Sequence, residues 1–113
     1  MTAVYRMGWS EVYRRLTGAP QGFLYGVPRG GSIVAGLTGR AVDSADEAAA
    51  IVDDIIDTGD TCRQWRSRVA GKQFWALVDK SPGGPDEKLF KDYWVEFPWE
   101  REEAGRVRHE PPV

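Results

Sequence analysis

Apolar residues recur along the chain with two different periods. Trp9, Val12, Tyr13 and Leu16 fall at i, i+3, i+4 and i+7, with Glu11, Arg14 and Arg15 on the opposite face, which predicts an amphipathic helix. Ser10 is a candidate cap for its start, and Gly18 with Pro20 supplies a stop. A second helix is expected over residues 60–70: Cys62, Trp65 and Val69 share one face, while Arg63, Arg66 and Arg68 lie mostly off it. Gly71 stands where a helix-ending glycine belongs. Residues 33–37 form a short third helix, and Ser44-Ala45-Asp46-Glu47 starts a helical turn. Between these lie short apolar runs of strand type, at 23–27, at 50–52 leading into Asp53, at 74–78 and at 93–97, with a stub at 40–42. The middle runs are continuous rather than alternating, as in parallel strands covered on both faces. Strands alternating with helices predict an α/β fold with one parallel sheet and right-handed crossovers.

Composition fits one globular domain over residues 1–113, since 42% of the chain is hydrophobic and 28% charged. Residues 101–113, charged and Pro-terminated, are expected to be a loosely held tail. Fifteen Lys and Arg against seventeen Asp and Glu leave a net charge of −2, so no global basic field exists for nucleic acid or an anionic membrane. A single cysteine, Cys62, excludes an internal disulfide and a cysteine-cluster zinc site, and His109 is the only histidine. No apolar run approaches the ~20 residues that span a bilayer, and the N-terminus lacks a signal-peptide core. The expected setting is cytoplasmic.

Ligands of open α/β sheets bind where the strands end, so chemistry is expected at 28–32, 53–61, 79–85 and 97–100. The strongest signal is IVDDIIDTGDT at 51–61. An apolar strand runs into Asp53 and Asp54, then Asp57, and Thr58-Gly59-Asp60-Thr61 opens the second helix. A helix N-terminus offers unpaired N–H groups and a positive dipole end, which suit an anion. Thr58 and Thr61 can add hydroxyl donors, and Gly59 lets the backbone approach closely. Carboxylates beside such a cradle suit ribose hydroxyls or a hard cation such as Mg²⁺. An Asp-rich capping turn is the plainer alternative, but it leaves four acids, two threonines and a glycine in one window without a purpose. A Walker-type site is excluded because no G-x-x-x-x-G-K-[ST] occurs. A receiver domain is disfavoured because its acidic pair belongs on the first strand.

This stretch resembles the phosphoribosyl-pyrophosphate motif of type I phosphoribosyltransferases. The resemblance implies that Asp53 and Asp54 hold the ribose 2′ and 3′ hydroxyls, directly or through Mg²⁺. It implies that Thr58, Gly59, Asp60 and Thr61 wrap the 5′-phosphate, and that Asp57 faces N7 of a purine as general acid or base. Asp60 replaces the family's small or basic residue, and its carboxylate is expected to point outward. Pro28-Arg29-Gly30-Gly31-Ser32 looks like the family's pyrophosphate loop, which normally includes a strained peptide; Arg29, Gly30 and Gly31 would meet the pyrophosphate. Lys80, in VDKSPGGP, is otherwise a solvated lysine, but by resemblance it donates to the oxygen at C6 of the base. DYWVEFPWE at 92–100 looks like the base-binding end of xanthine-guanine and hypoxanthine-guanine phosphoribosyltransferases, and is partly an aromatic core strand in any case. There Trp94 would stack on the purine, Val95 offer its backbone, and Glu100 or its carbonyl meet the 2-substituent, whereas Trp99 is packing.

The implied activity is transfer of ribose 5-phosphate to N9 of guanine, xanthine or hypoxanthine, a purine-salvage reaction releasing pyrophosphate. The implied ligands are phosphoribosyl pyrophosphate, a purine base and Mg²⁺, with a homodimer possible as in many relatives. The chain also departs from the pattern in two regions. Residues 40–50, RAVDSADEAAA, are too short for the strands and mobile lid that the family carries there, and the base-covering hood is reduced to residues 80–100. A non-catalytic module that binds phosphoribosyl pyrophosphate or a purine nucleotide is therefore the alternative.

Overall fold

Strands pair in parallel throughout, but in two sheets rather than one. The computed structural model describes residues 3–68 and 71–103. Strands β2 (Leu24–Gly26), β3 (Ala50–Ile56) and β4 (Gln73–Asp79) form a three-stranded sheet in the order β2-β3-β4. Strands β1 (Ala3–Arg6) and β5 (Tyr93–Glu96) form a separate ribbon in which Tyr5 lies opposite Val95. The helices are α1 (Trp9–Leu16), α2 (Gly30–Thr38), α3 (Asp60–Arg68), α4 (Glu87–Phe90) and α5 (Pro98–Glu103). The mixed α/β class with parallel sheets is the one the sequence predicts.

Strand β1 had no periodic signal, because most of it is exposed and its ladder to β5 is made by backbone alone. Its continuation sets the start of α1. Met7 N–H donates to the Glu96 carbonyl at 2.9 Å, and Gly8, not Ser10, is the N-cap, with Val12 N–H bonded to the Gly8 carbonyl at 3.1 Å. Helix α2 begins at Gly30 rather than residue 33, since Ser32 N–H closes a turn on the Arg29 carbonyl at 3.1 Å. Strand β3 runs on through the acidic pair because β4 keeps pairing with it, Asp53 opposite Ala76 and Ile56 opposite Asp79. The stub at 40–42 is a single bridge between Ala41 and Leu24. Ser44 caps the 3₁₀ turn Ala45–Glu47 through its hydroxyl, which accepts the Asp46 N–H at 3.2 Å. Val69, Ala70 and residues 104–113, with His109, lie outside the described residues.

The core joins both sheets. Leu24, Val52, Leu77 and Val78 from the three-stranded sheet meet Val34 of α2, Val12 of α1, and Phe90, Val95 and Phe97 around the ribbon, all buried. Trp99 is buried and stacks on Phe97, with centroids 4.8 Å apart and planes at 4°. Its role is packing, as expected. Among the described residues no helix is long and apolar enough to cross a membrane.

Candidate functional site

The site is built where β3 leaves the sheet between the first turns of α2 and α3. Gly26, at the end of β2, has no room for a side chain, because a Cβ there would land on the Gly31 carbonyl and the Ser32 nitrogen. A Cβ on Gly31 would lie 2.5 Å from the Val52 carbonyl oxygen and 3.0 Å from the Asp53 Cα. One on Gly30 would overlap the Asp54 carboxylate. The glycines are thus required by close approach: they let the first turn of α2 rest directly on the acidic end of β3. The Pro28–Arg29 peptide that leads into this turn is cis, and Arg29 is the N-cap of α2. The segment expected to be a loop is therefore a helix N-terminus aimed at the carboxylates.

Asp53 and Asp54 each accept a backbone N–H from the following residue, Asp54 N–H at 2.9 Å and Ile55 N–H at 2.8 Å. Burial, then a hydrogen bond and the negative charge of Asp54, push the Asp53 pKa up to about 8. The folded state thus holds a proton that the unfolded chain releases near 3.8, and stability falls as pH rises from there through about 8. Asp53→Asn keeps the acceptor and removes the charge. It should raise Tm by a few degrees at about pH 8.5 and by less at about pH 5, measured by thermal melts without ligand. Among the described residues no group of three His, Cys, Asp or Glu side chains is gathered to hold a metal. Two adjacent carboxylates still fit Mg²⁺, which commonly takes one or two protein carboxylates and completes its shell with water and substrate phosphate.

The second cradle follows β3. Gly59 takes a positive φ of 92°, which a glycine adopts without strain. The Thr58 hydroxyl accepts the Asp60 N–H at 3.3 Å, keeping its proton to donate. Thr61 is exposed in the first turn of α3. The Asp60 carboxylate points outward, as expected, and pairs with Arg63 one turn along. In the sequence that arginine is only part of a solvated face. With Arg66 it borders a cavity of about 300 Å³ on the far side of Thr58 and Gly59.

The base-reading candidates meet in a cavity of about 100 Å³ lined by Asp54, Asp57, Lys80, Trp94, Val95 and Glu100 among others. Lys80 is nearly buried: its Nζ donates to the Tyr93 carbonyl at 2.7 Å and lies 3.9 Å from Asp57 Oδ1. Asp57 itself is well exposed, 66% by side chain, with room to meet a ligand. Val95 is buried and lines the cavity. Glu100 lines the same cavity, and its Oε1 accepts the Phe97 N–H at 2.8 Å, the capping-box bond at the start of α5, so one carboxylate oxygen is already engaged. The cavity is smaller than the ~300–1,000 Å³ of a typical small-molecule site, in line with the reduced hood. The 40–50 segment is held at its 3₁₀ turn, where Lys72 Nζ binds the Ala45 carbonyl and, at 2.9 Å, the Asp46 carbonyl.

No family model matches the chain. Curated relatives do. A xanthine-guanine phosphoribosyltransferase of Nitratidesulfovibrio vulgaris (strain DP4) is 32% identical over 68 residues, 56% of this chain and 42% of that protein. One of Chromohalobacter salexigens is 32% identical over 66 residues, 54% of this chain and 41% of that protein. A third, from the Hildenborough strain of N. vulgaris, is 32% identical over 68 residues. The matches cover less than half the length of these relatives. Similarity over more than half of this chain, joined to a parallel α/β fold consistent with a type I core, relates the chain to the phosphoribosyltransferase family.

Proposed function

We propose that the domain transfers ribose 5-phosphate from phosphoribosyl pyrophosphate to N9 of guanine, xanthine or hypoxanthine, releasing pyrophosphate. The observation that carries this reading is the shared cavity in which Asp57, Lys80, Trp94 and Val95 adjoin Asp54. A phosphate sensor has no use for that base-reading set beside an acidic pair.

In this reading Thr58, Gly59, Asp60 and Thr61 hold the 5′-phosphate on the N-terminus of α3, while Asp53 and Asp54 orient the ribose hydroxyls. The first turn of α2, with Arg29, Gly30 and Gly31, receives the pyrophosphate. Mg²⁺ held by Asp53 and Asp54 would neutralise the departing pyrophosphate charge. Trp94 stacks on the purine, worth about 1–3 kcal/mol. Lys80 donates to the oxygen at C6, and Val95 with the Glu100 carbonyl reads the Watson–Crick edge and 2-substituent. Asp57 takes up or returns the N7 proton as N9 forms its bond to C1′ of the ribose.

Mixing the protein with Mg²⁺, phosphoribosyl pyrophosphate and each 6-oxopurine should release pyrophosphate at stoichiometry with nucleotide formed. No release with any base at high protein concentration would end the enzyme reading. The second reading, a binding module without turnover, is favoured by the pinned 40–50 segment, since an open site admits water to a ribosyl cation. It predicts thermal stabilisation by ligand with no pyrophosphate released.

A further inference from the structure

One partly buried ion-pair network hydrogen-bonds to none of the residues assigned to substrate. Arg15 of α1 is its hub. Its Nη1 donates to Asp86 Oδ1 at 3.0 Å and to the Leu77 carbonyl at 3.3 Å, and its Nε donates to Glu11 Oε2 at 3.0 Å. Glu11 accepts the Tyr5 hydroxyl from β1 at 2.5 Å. The Arg15 and Asp86 side chains are 15% and 16% exposed, so the pair is screened little by solvent.

Asp86 passes this anchor to the segment that follows β4. Its Oδ2 accepts the Asp79 N–H at 2.8 Å, and its own N–H donates to the Asp79 carbonyl at 2.8 Å. Asp79 Oδ1 in turn accepts Ser81 N–H and Oγ–H, at 3.1 and 2.6 Å. Gly84 closes the ring with no side chain, since a Cβ there would lie 2.6 Å from Asp79 Oδ1. Lys80 sits inside this closed segment, between two residues that are both fixed. Its N–H is tied to the Ile56 carbonyl at 2.9 Å, and its Nζ reaches the Tyr93 carbonyl of β5.

We propose that Arg15 and Asp86 are positioning residues that set the reach of the Lys80 ammonium, and so the affinity for the oxygen at C6 of a purine; this rests on the phosphoribosyl-transfer reading above. The physical ground is tolerance. A donor on a flexible four-carbon stem recognises one oxygen only if its backbone is held, and a misplacement of about 1 Å can cost ~100-fold. The anchor's hydrogen bonds run to the segment that carries Lys80. The phosphate cradle of α3 and the glycine turn of α2 are built on β3, and among the described residues they share no hydrogen bond with Arg15 or Asp86.

Asp86→Asn tests this. The amide can still accept the Asp79 N–H, but its NH₂ would face the Arg15 guanidinium, so the link to α1 is lost while the turn is retained. Steady-state rates with hypoxanthine or guanine and phosphoribosyl pyrophosphate, each varied in turn, should show the KM for the base raised about tenfold, and the KM for phosphoribosyl pyrophosphate within about twofold of wild type. Discrimination against adenine, which offers an amine at C6, should weaken in parallel. A merely structural role would move both KM values together or lower only the folded fraction, and either result overturns the proposal. Should Asp86→Asn not fold, Arg15→Lys, which keeps the charge and loses the fork, is read in the same way. If the wild type neither turns over nor binds a purine, the phosphoribosyl-transfer reading fails and the proposal falls with it. A wild type that turns over, with base affinity unmoved in both variants, removes this proposal alone.

Discussion

Asp57→Ala should lower the rate of nucleotide formation by about 10²–10⁴-fold while leaving the binding of phosphoribosyl pyrophosphate within a few-fold of wild type. The split follows from where the residue lies. Asp57 is exposed and follows the acidic pair that would carry the ribose, and its carboxylate lies 3.9 Å from Lys80 Nζ. A side chain so open to solvent contributes little to the core, so its removal should barely move Tm. Rates under single turnover, with binding followed separately by calorimetry, check both halves. An equal loss in both would make Asp57 a binding residue. Asp57→Asn should behave like the alanine variant, because an amide keeps the shape and loses the proton chemistry.

Gly31→Ala should produce a large loss of stability, a fall in Tm of about 10 °C or more. The added methyl would lie 2.5 Å from the Val52 carbonyl oxygen, which is backbone of the central strand and has nowhere to go. That same carbonyl accepts the Val27 N–H at 2.8 Å, so moving it disturbs the β2–β3 pairing as well. Affinity for phosphoribosyl pyrophosphate, which the proposed function seats at the first turn of α2, should fall with it. Gly36, further along the same helix, has open space where an alanine methyl would stand, and Gly36→Ala should leave Tm unchanged or slightly higher. The pair of variants, compared by thermal melts, separates helix propensity from close approach.

The elements most legible in the sequence were those whose burial has a period. Helix α1, with its apolar stripe, and β4, with a continuous apolar run, appear where the spacing puts them. Strand β1 was illegible because a mostly exposed strand carries no alternation, and only the distant ladder to β5 makes it a strand. The early start of α2 was hidden because Gly30-Gly31-Ser32 reads locally as a turn, and tertiary contact with β3 overrides that preference. Asp54, Asp57, Lys80, Trp94 and Val95, singled out from their motifs, line one cavity beside the end of β3. What sequence could not supply was the state of each group. The engagement of the Glu100 carboxylate by the Phe97 N–H depends on how α5 begins, and the Arg15–Asp86 bond joins residues far apart in the chain.

The ribbon of β1 and β5 joins Ala3–Arg6 to Tyr93–Glu96, across nearly the whole described chain. Closing so long a loop costs entropy before any contact is gained. The phosphate half, drawn from residues 24–61, needs only nearer partners. The two halves should therefore part company in time: amides of β2 and β3 should gain protection early in refolding, and those of β5 last. In the native state the order reverses, and β5 should be among the first strands to exchange. A purine that bound between Trp94 and Lys80 would then act on the last piece assembled, closing a kinetic gap that the chain by itself leaves open.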